Sequence, residues 1–120
     1  MLQIGWNSFT LHIKTFYNYE GYQLAETNSV LNQYVAEIRD VAVQGDRMRF
    51  RRNIERIGEI MAYEMSKELT YSVKQVQTPL GVASVSTPDD EVVIATVFRA
   101  GLPLHTGFLN MFDHAGNAFV

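Results

Sequence analysis

Arg99-Ala100-Gly101-Leu102 is the segment best suited to chemistry, because it joins a permanent positive charge to a small-residue turn. A guanidinium presents a planar fork of donors, so it grips a phosphate or pyrophosphate group with two hydrogen bonds at once. Gly101 permits a tight turn and a close backbone approach, so the amides around Ala100, Gly101 and Leu102 could add donors to the same anion. Pro103 suits a first helical turn, which puts a helix start beside the arginine. The other reading of Arg99 is structural, an arginine that caps a strand end through a carboxylate.

The residues on either side of this turn place it. Residues 92–98, Val-Val-Ile-Ala-Thr-Val-Phe, are almost wholly apolar and rich in β-branched types. That is how a strand buried on both faces of a parallel sheet reads. In open α/β sheets, ligands bind outside the carboxyl ends of such strands. Residues 102–112 read as a helix, with Leu102, Leu104, Phe108, Leu109 and Phe112 as its apolar surface and Gly116 marking its end or the next turn. Ala118-Phe119-Val120 reads like a further strand just starting.

Other candidate constellations carry less. His12, His105 and His114 stand at no metal-ligand spacing, and no carboxylate joins them in a zinc pattern. His105 reads as a helix residue near the rim of the turn. Asp89-Asp90-Glu91 could suggest magnesium, but the turn composition Thr87-Pro88-Asp89-Asp90 explains it better. There is no Gly-x-Ser-x-Gly, P-loop or dinucleotide fingerprint. No metal ligand is assigned. Arg47, Arg49, Arg51, Arg52 and Arg56 crowd a helix start. They read either as a phosphate or nucleic-acid patch, or as a solvated face with local pairs: Arg52 with Glu55, and Arg56 with Glu55 or Glu59. Positive charge there opposes the helix dipole, which keeps a phosphate-facing or interface role open for Arg49 and Arg51.

The remaining elements follow from spacing. Thr27-Asn28-Ser29 supplies capping residues ahead of a helix whose Leu31, Tyr34, Val35 and Ile38 share one face. Gly45 ends that segment or the loop after it. Asp46 caps a longer helix reaching about Leu69, with Phe50, Ile54, Ile57, Met61 and Met65 as its buried stripe. Residues 73–78 and 82–86 alternate around Pro79-Leu80-Gly81, a β-hairpin that needs something to pack on. Residues 1–20 are crowded with Trp6, Phe9, Phe16, Tyr17 and Tyr19, and residues 11–15 alternate like a short strand. They read as an extension packed on a neighbour, or, more sharply, as a place where Trp6 stacks on a ligand.

At 120 residues the chain is one domain or part of one. Apolar content of 47% and charged content of 19% fit a soluble globular protein. A net charge of −3 gives no reason to expect bulk attraction to nucleic acid or to an anionic membrane. Without cysteine there are no disulfides, thiolate chemistry or cysteine-bound metals. No apolar run approaches the roughly 18 residues of a membrane span. The start lacks a secretory pattern, and a cytoplasmic location fits. Because soluble domains seldom end on an exposed apolar strand, the expectation is an amino-terminal half of something longer.

Three stretches give the chain a family resemblance. Val97-Phe98-Arg99-Ala100-Gly101-Leu102-Pro103 resembles the Arg-Ala-Gly-Leu turn of uracil phosphoribosyltransferases. Arg49-Phe50-Arg51 begins a helix that passes through Tyr63-Glu64, similar to the Arg-Phe-Arg helix of that family, and Leu31 to Asp40 is a weaker third match. The likeness covers about residues 22–120. It implies an α/β chain, the amino-terminal part of a phosphoribosyltransferase fold, with helices, a β-hairpin arm and the first parallel strands. Residues 1–20 would be an extension and residues 21–120 the first portion of the domain.

The resemblance also implies conversion of uracil and phosphoribosyl pyrophosphate (PRPP) to UMP and pyrophosphate in pyrimidine salvage, with magnesium carried on PRPP. Arg99, Ala100, Gly101 and Leu102 would contact the PRPP phosphates. The hairpin arm would reach across a homodimer, GTP is a possible effector, and no membrane or nucleic-acid partner is implied. The chain departs from the family pattern in three respects. The phosphoribosyl-binding loop, an acidic residue followed by Ala-Thr-Gly, a small residue and serine, is not found in these residues, and Thr106-Gly107 lacks both the acidic lead and the serine. The uracil pocket and the later arginine are not found either. These 120 residues are therefore expected to hold no catalytic residue and to be inactive alone. The alternative is a regulatory or RNA-binding relative that keeps the fold without the full site.

Overall fold

A capping carboxylate and a polar clamp organise the first helix pair. The computed structural model describes residues 3–4, 10–15, 18–24 and 26–120. Within it, Leu31.N donates to the Ser29 hydroxyl at 3.2 Å at the start of α1 (Leu31–Arg39). Asp46 Oδ1 accepts from the Met48 and Arg49 amides at 3.1 and 3.0 Å at the start of α2 (Arg47–Ser66). This cap satisfies two orphan donors and sets a negative charge against the arginine-rich first turn. Between the helices, Asn53 is fully buried. Its amide donates to Glu37 Oε2 at 2.7 Å and its carbonyl accepts from Arg56 at 3.0 Å, so the buried polar group is paired on both sides.

The buried face of α2 differs from the apolar stripe expected of it. Asn53, Ile57, Gly58, Met61 and Ala62 are buried, while Phe50 is exposed and Ile54 and Met65 are only half-buried. The face is rotated toward its smallest residues because a second helix must come close there. The helix also stops at Ser66, short of the expected Leu69. Leu31, Ile57, Met61, Ala62, Ile94 and Phe108 form the core, with Tyr34, Val35 and Ile38 of α1 packed against it.

That second helix is α3 (Leu102–Met111), and it crosses α2 on glycine. A Cβ on Gly107 would lie 2.1 Å from the Glu55 carbonyl oxygen and 2.9 Å from Gly58 Cα, and one on Gly58 would lie 2.6 Å from the Leu104 carbonyl oxygen. No side chain fits at either position. Asn110 adds a polar tie at the far end, donating to Glu55 at 3.1 Å and Glu59 at 2.7 Å.

The helix connects β6 (Val93–Thr96) to β7 (Gly116–Phe119), which pair in parallel from Val93 with Gly116 to Thr96 with Phe119. The unit is strand, helix, parallel strand, as a βαβ connection requires. Burial along β6 corrects the expectation of a strand covered on both faces over residues 92–98. Only four residues are strand, and they alternate: Ile94 and Thr96 are buried, Val93 and Ala95 exposed. Among the described residues α3 lies against one face, and the apolar outer positions have no covering element.

The hairpin stands apart. In it β4 (Tyr71–Thr78) pairs with β5 (Gly81–Pro88), joined by Pro79 and Leu80, with Gly81 at a φ of 134° that favours glycine. Its base is tied by the Asp90 carboxylate accepting from the Thr70 amide, by Asp89.N donating to the Thr70 carbonyl at 2.9 Å, and by the Tyr71 hydroxyl donating to the Ser66 carbonyl at 2.9 Å. Beyond that base, the strands pack on each other and on no other element to any extent among the described residues.

At the amino terminus, β1 (Gln3–Ile4), β2 (Thr10–Thr15) and β3 (Asn18–Gln23) form an antiparallel sheet in that order, so the strand expected over residues 11–15 is present. Strand β3 runs through position 20. Trp6, Phe9, Phe16 and Tyr17 lie outside the described residues.

Candidate functional site

Strand β6 ends at Thr96, and the chain then turns over residues 97–101 before α3 starts at Leu102 with Pro103 in its first turn. Arg99 therefore sits in the turn, three residues past the strand rather than at its last position. Gly101 is held here by crowding. A Cβ on it would lie 2.7 Å from Thr96 Cγ2 and 2.9 Å from the Val97 carbonyl oxygen, while its φ of −74° is ordinary for any residue. The peptide joining Phe98 to Arg99 is cis.

The hydrogen bonds of the turn divide its amides. Gly101.N donates to the Val97 carbonyl at 3.3 Å, and Leu102.N donates to the Arg99 carbonyl at 3.2 Å. Of the amides singled out above, Ala100.N alone makes no hydrogen bond among the described residues. Arg99 is exposed and pairs with no carboxylate among the described residues.

Beneath the turn, Thr96 Oγ1 and His105 Nδ1 are 2.6 Å apart and buried. His105 thus lies under the turn instead of at its rim. The Phe119 ring tilts toward His105 at 5.1 Å and stacks on Phe98 at 4.7 Å with 3° between planes.

The arginine-rich start of α2 is mostly engaged in structure. Arg49 reaches Glu37 at 3.4 Å and Asp46 at 3.9 Å, and Arg52 pairs with Glu55 at 2.7 Å as expected. Arg56 binds the Asn53 carbonyl and lies over the Tyr34 ring at 5.2 Å, in place of an expected pair with Glu55 or Glu59. The hydrogen bond from Asn53, then that from Gln33, holds the Glu37 carboxyl below its usual range, and Arg52 does the same for Glu55. Arg47 and Arg51 are exposed and make no ion pair among the described residues. Sequence reasoning missed Thr96, Phe119 and the two crossing glycines. The small pair Gly58 and Ala62, one helical turn apart, is the signal that could have revealed a close helix contact.

The segment that carries this turn lies within a stretch similar to known proteins. The uracil phosphoribosyltransferase family model matches residues 25–119. The chain belongs to that family. It is 61% identical over 97 residues to a uracil phosphoribosyltransferase of Porphyromonas gingivalis, covering 81% of this chain and 45% of that protein. It is 32% identical over 99 residues to one of Methanococcus maripaludis, covering 81% and 42%. The chain spans about half the length of the curated relatives it matches. A solved protein of Aquifex aeolicus shares its fold, with a TM-score of 0.63 at 23% identity over 78% of this chain and 44% of the other. The expected class stands: an α/β chain that forms part of a phosphoribosyltransferase fold. No helix among the described residues is long and apolar enough to cross a membrane.

Proposed function

We propose that these residues form the amino-terminal part of a cytoplasmic uracil phosphoribosyltransferase, and that Arg99 grips the pyrophosphate of PRPP. In this reaction a bond forms between uracil N1 and the anomeric carbon while the carbon–oxygen bond to pyrophosphate breaks, and the N1 proton is lost. Positive charge builds on the sugar and negative charge on the leaving group, so the protein's main tasks are to position the reactants and to stabilise charge. Arg99 meets the growing negative charge, and Ala100.N adds a neutral donor beside it. Magnesium enters with PRPP as part of the substrate. The hairpin packs on a second copy, and GTP binding falls within the range of this reading.

The single observation that carries the proposal is an exposed Arg99 without a carboxylate partner among the described residues, on a turn that only glycine at position 101 allows. Membership of the family supports it. The phosphoribosyl-binding loop and the uracil pocket are not found in these residues, so residues 1–120 alone form no UMP in this reading. The protein at its full encoded length, given labelled uracil, PRPP and magnesium, forms UMP. Arg99→Ala there lowers kcat/KM for PRPP by about 100-fold, the scale of a charge-assisted contact made in the transition state. Full activity in the Arg99→Ala protein would remove Arg99 from the site.

A further inference from the structure

We propose that Thr96 and His105 are positioning residues, a polar brace that holds the turn of Arg99 in its anion-gripping shape. The inference rests on the reading of Arg99 given above. The two side chains are 8% and 6% exposed and meet at 2.6 Å, at the point where β6 gives way to the turn. His105 is tied to the turn a second time, since its amide donates to the Gly101 carbonyl at 2.9 Å. Thr96 is tied to β7, because its carbonyl accepts from Val120.N at 3.0 Å, and the Val120 carbonyl accepts from Phe98.N at 2.9 Å. The same threonine presents Cγ2 to Gly101 at the place where a side chain would stand. One hydroxyl–imidazole contact therefore links the strand, the turn and the helix start. Phe119 closes the arrangement by touching both His105 and Phe98, the residue before Arg99.

An apolar pair would fill this space at little cost. A buried hydroxyl and imidazole leave each other unpaired when they part, so the penalty for leaving this one geometry is steep. That is a suitable device for a loop that must present a guanidinium in one direction, since a small misplacement of a binding group is costly in rate. Neither side chain touches the anion. Their effect on it passes through the backbone of residues 97–101.

The test uses the protein at its full encoded length and four variants: Thr96→Val, Thr96→Ser, His105→Leu and His105→Asn. Thr96→Val and His105→Leu raise KM for PRPP about tenfold and leave KM for uracil within about twofold, the scale of one buried hydrogen bond felt on one substrate only. Thr96→Ser and His105→Asn, which keep a polar atom near the lost one, stay within about threefold of the parent for both substrates. Loss of packing alone would move the melting temperature without separating the two KM values. If Thr96→Val or His105→Leu fails to fold, the remaining apolar variant set against its polar counterpart decides the question. Apolar and polar variants with equal KM for PRPP overturn the brace and leave the assigned reaction intact. A parent protein that binds neither PRPP nor pyrophosphate in calorimetric titration overturns both.

Discussion

The glycine crossing of α2 on α3 and the β4–β5 hairpin are held together in opposite ways. At the crossing, backbone meets backbone: Gly58 and Gly107 leave no room for a methyl group, and Ile57, Met61 and Phe108 close around them. In the hairpin, the ladder of strand pairs is complete, yet Val73 is 67% exposed and Val82 66%, with no element over them among the described residues. Both places are regular secondary structure, and they differ in tertiary burial. An isolated hairpin is marginal in water, whereas a buried helix crossing draws on the hydrophobic effect over its whole contact. The site sits on the first kind of structure. The turn of Arg99 opens directly into α3, so the rigidity of the crossing reaches the end proposed to bind an anion.

Paired truncations make the largest break in that contrast. Ile57→Ala removes a side chain that is 1% exposed and leaves a cavity in the core cluster, so it should cost roughly 2–5 kcal/mol. Val73→Ala removes apolar surface already in water and should cost less than about 0.5 kcal/mol in the protein free of partners. Denaturation in urea, followed by circular dichroism at 222 nm, measures both. Equal losses would mean that the hairpin is as deeply buried as the helix crossing, and the comparison would fail.

Adding one methyl group tests the crossing itself. Gly107→Ala gains about 0.5–1 kcal/mol of helix propensity, but its Cβ would stand 2.1 Å from the Glu55 carbonyl, and overpacking of this sort costs about 1–3 kcal/mol. The obstacle is backbone, which cannot swing aside, so the overpacking wins and the variant is less stable. Gly45→Ala, with nothing within 4 Å of the new atom, should leave stability near the parent value. A Gly107→Ala protein as stable as the parent would show that the helices separate freely.

What the sequence made legible follows the same division. Elements defined by local signals were readable: Asp46 as a cap, Pro103 in the first turn of α3, and the hairpin around Pro79-Leu80-Gly81 all stand where their chemistry puts them. Partnerships across the fold were not. Phe50 looked like core by its spacing and is exposed, because the face of α2 turns toward the glycine contact. Asn53, polar by type, is buried because Glu37 and Arg56 satisfy it from two directions. Residues 92–98 read as doubly buried, since apolar composition records what a strand can bury and not which face the described residues cover. Around the proposed site, the strand–turn–helix order at Arg99 could be read directly, being one contiguous segment. The Thr96–His105 contact could not, because it joins a strand to a helix, and a lone histidine on an apolar helix carries no mark of its partner.

Acid gives the smallest and most selective separation. Glu37 and Glu55 both have carboxyl groups lowered in the folded protein, by the Asn53 hydrogen bond first in one and by Arg52 first in the other. A carboxyl group lowered on folding contributes stability above its unfolded value, near 4.3, and loses it as pH falls through the lower folded value. Stability should therefore be flat from neutrality to about pH 5 and decline below that, modestly, because these pairs are reached by solvent and screened by salt. Asp89 of the hairpin is lowered too, by Ser72 and then Lys74. Its release should not change the stability of the core, since beyond its base the hairpin packs on no other element to any extent among the described residues. Combining Glu37→Gln with Glu55→Gln should flatten the acid limb of the urea midpoint, and Asp89→Asn should leave that limb as in the parent. An Asp89→Asn protein whose acid limb flattens as much as that of the double variant would mean that the hairpin and the helix crossing unfold as one unit.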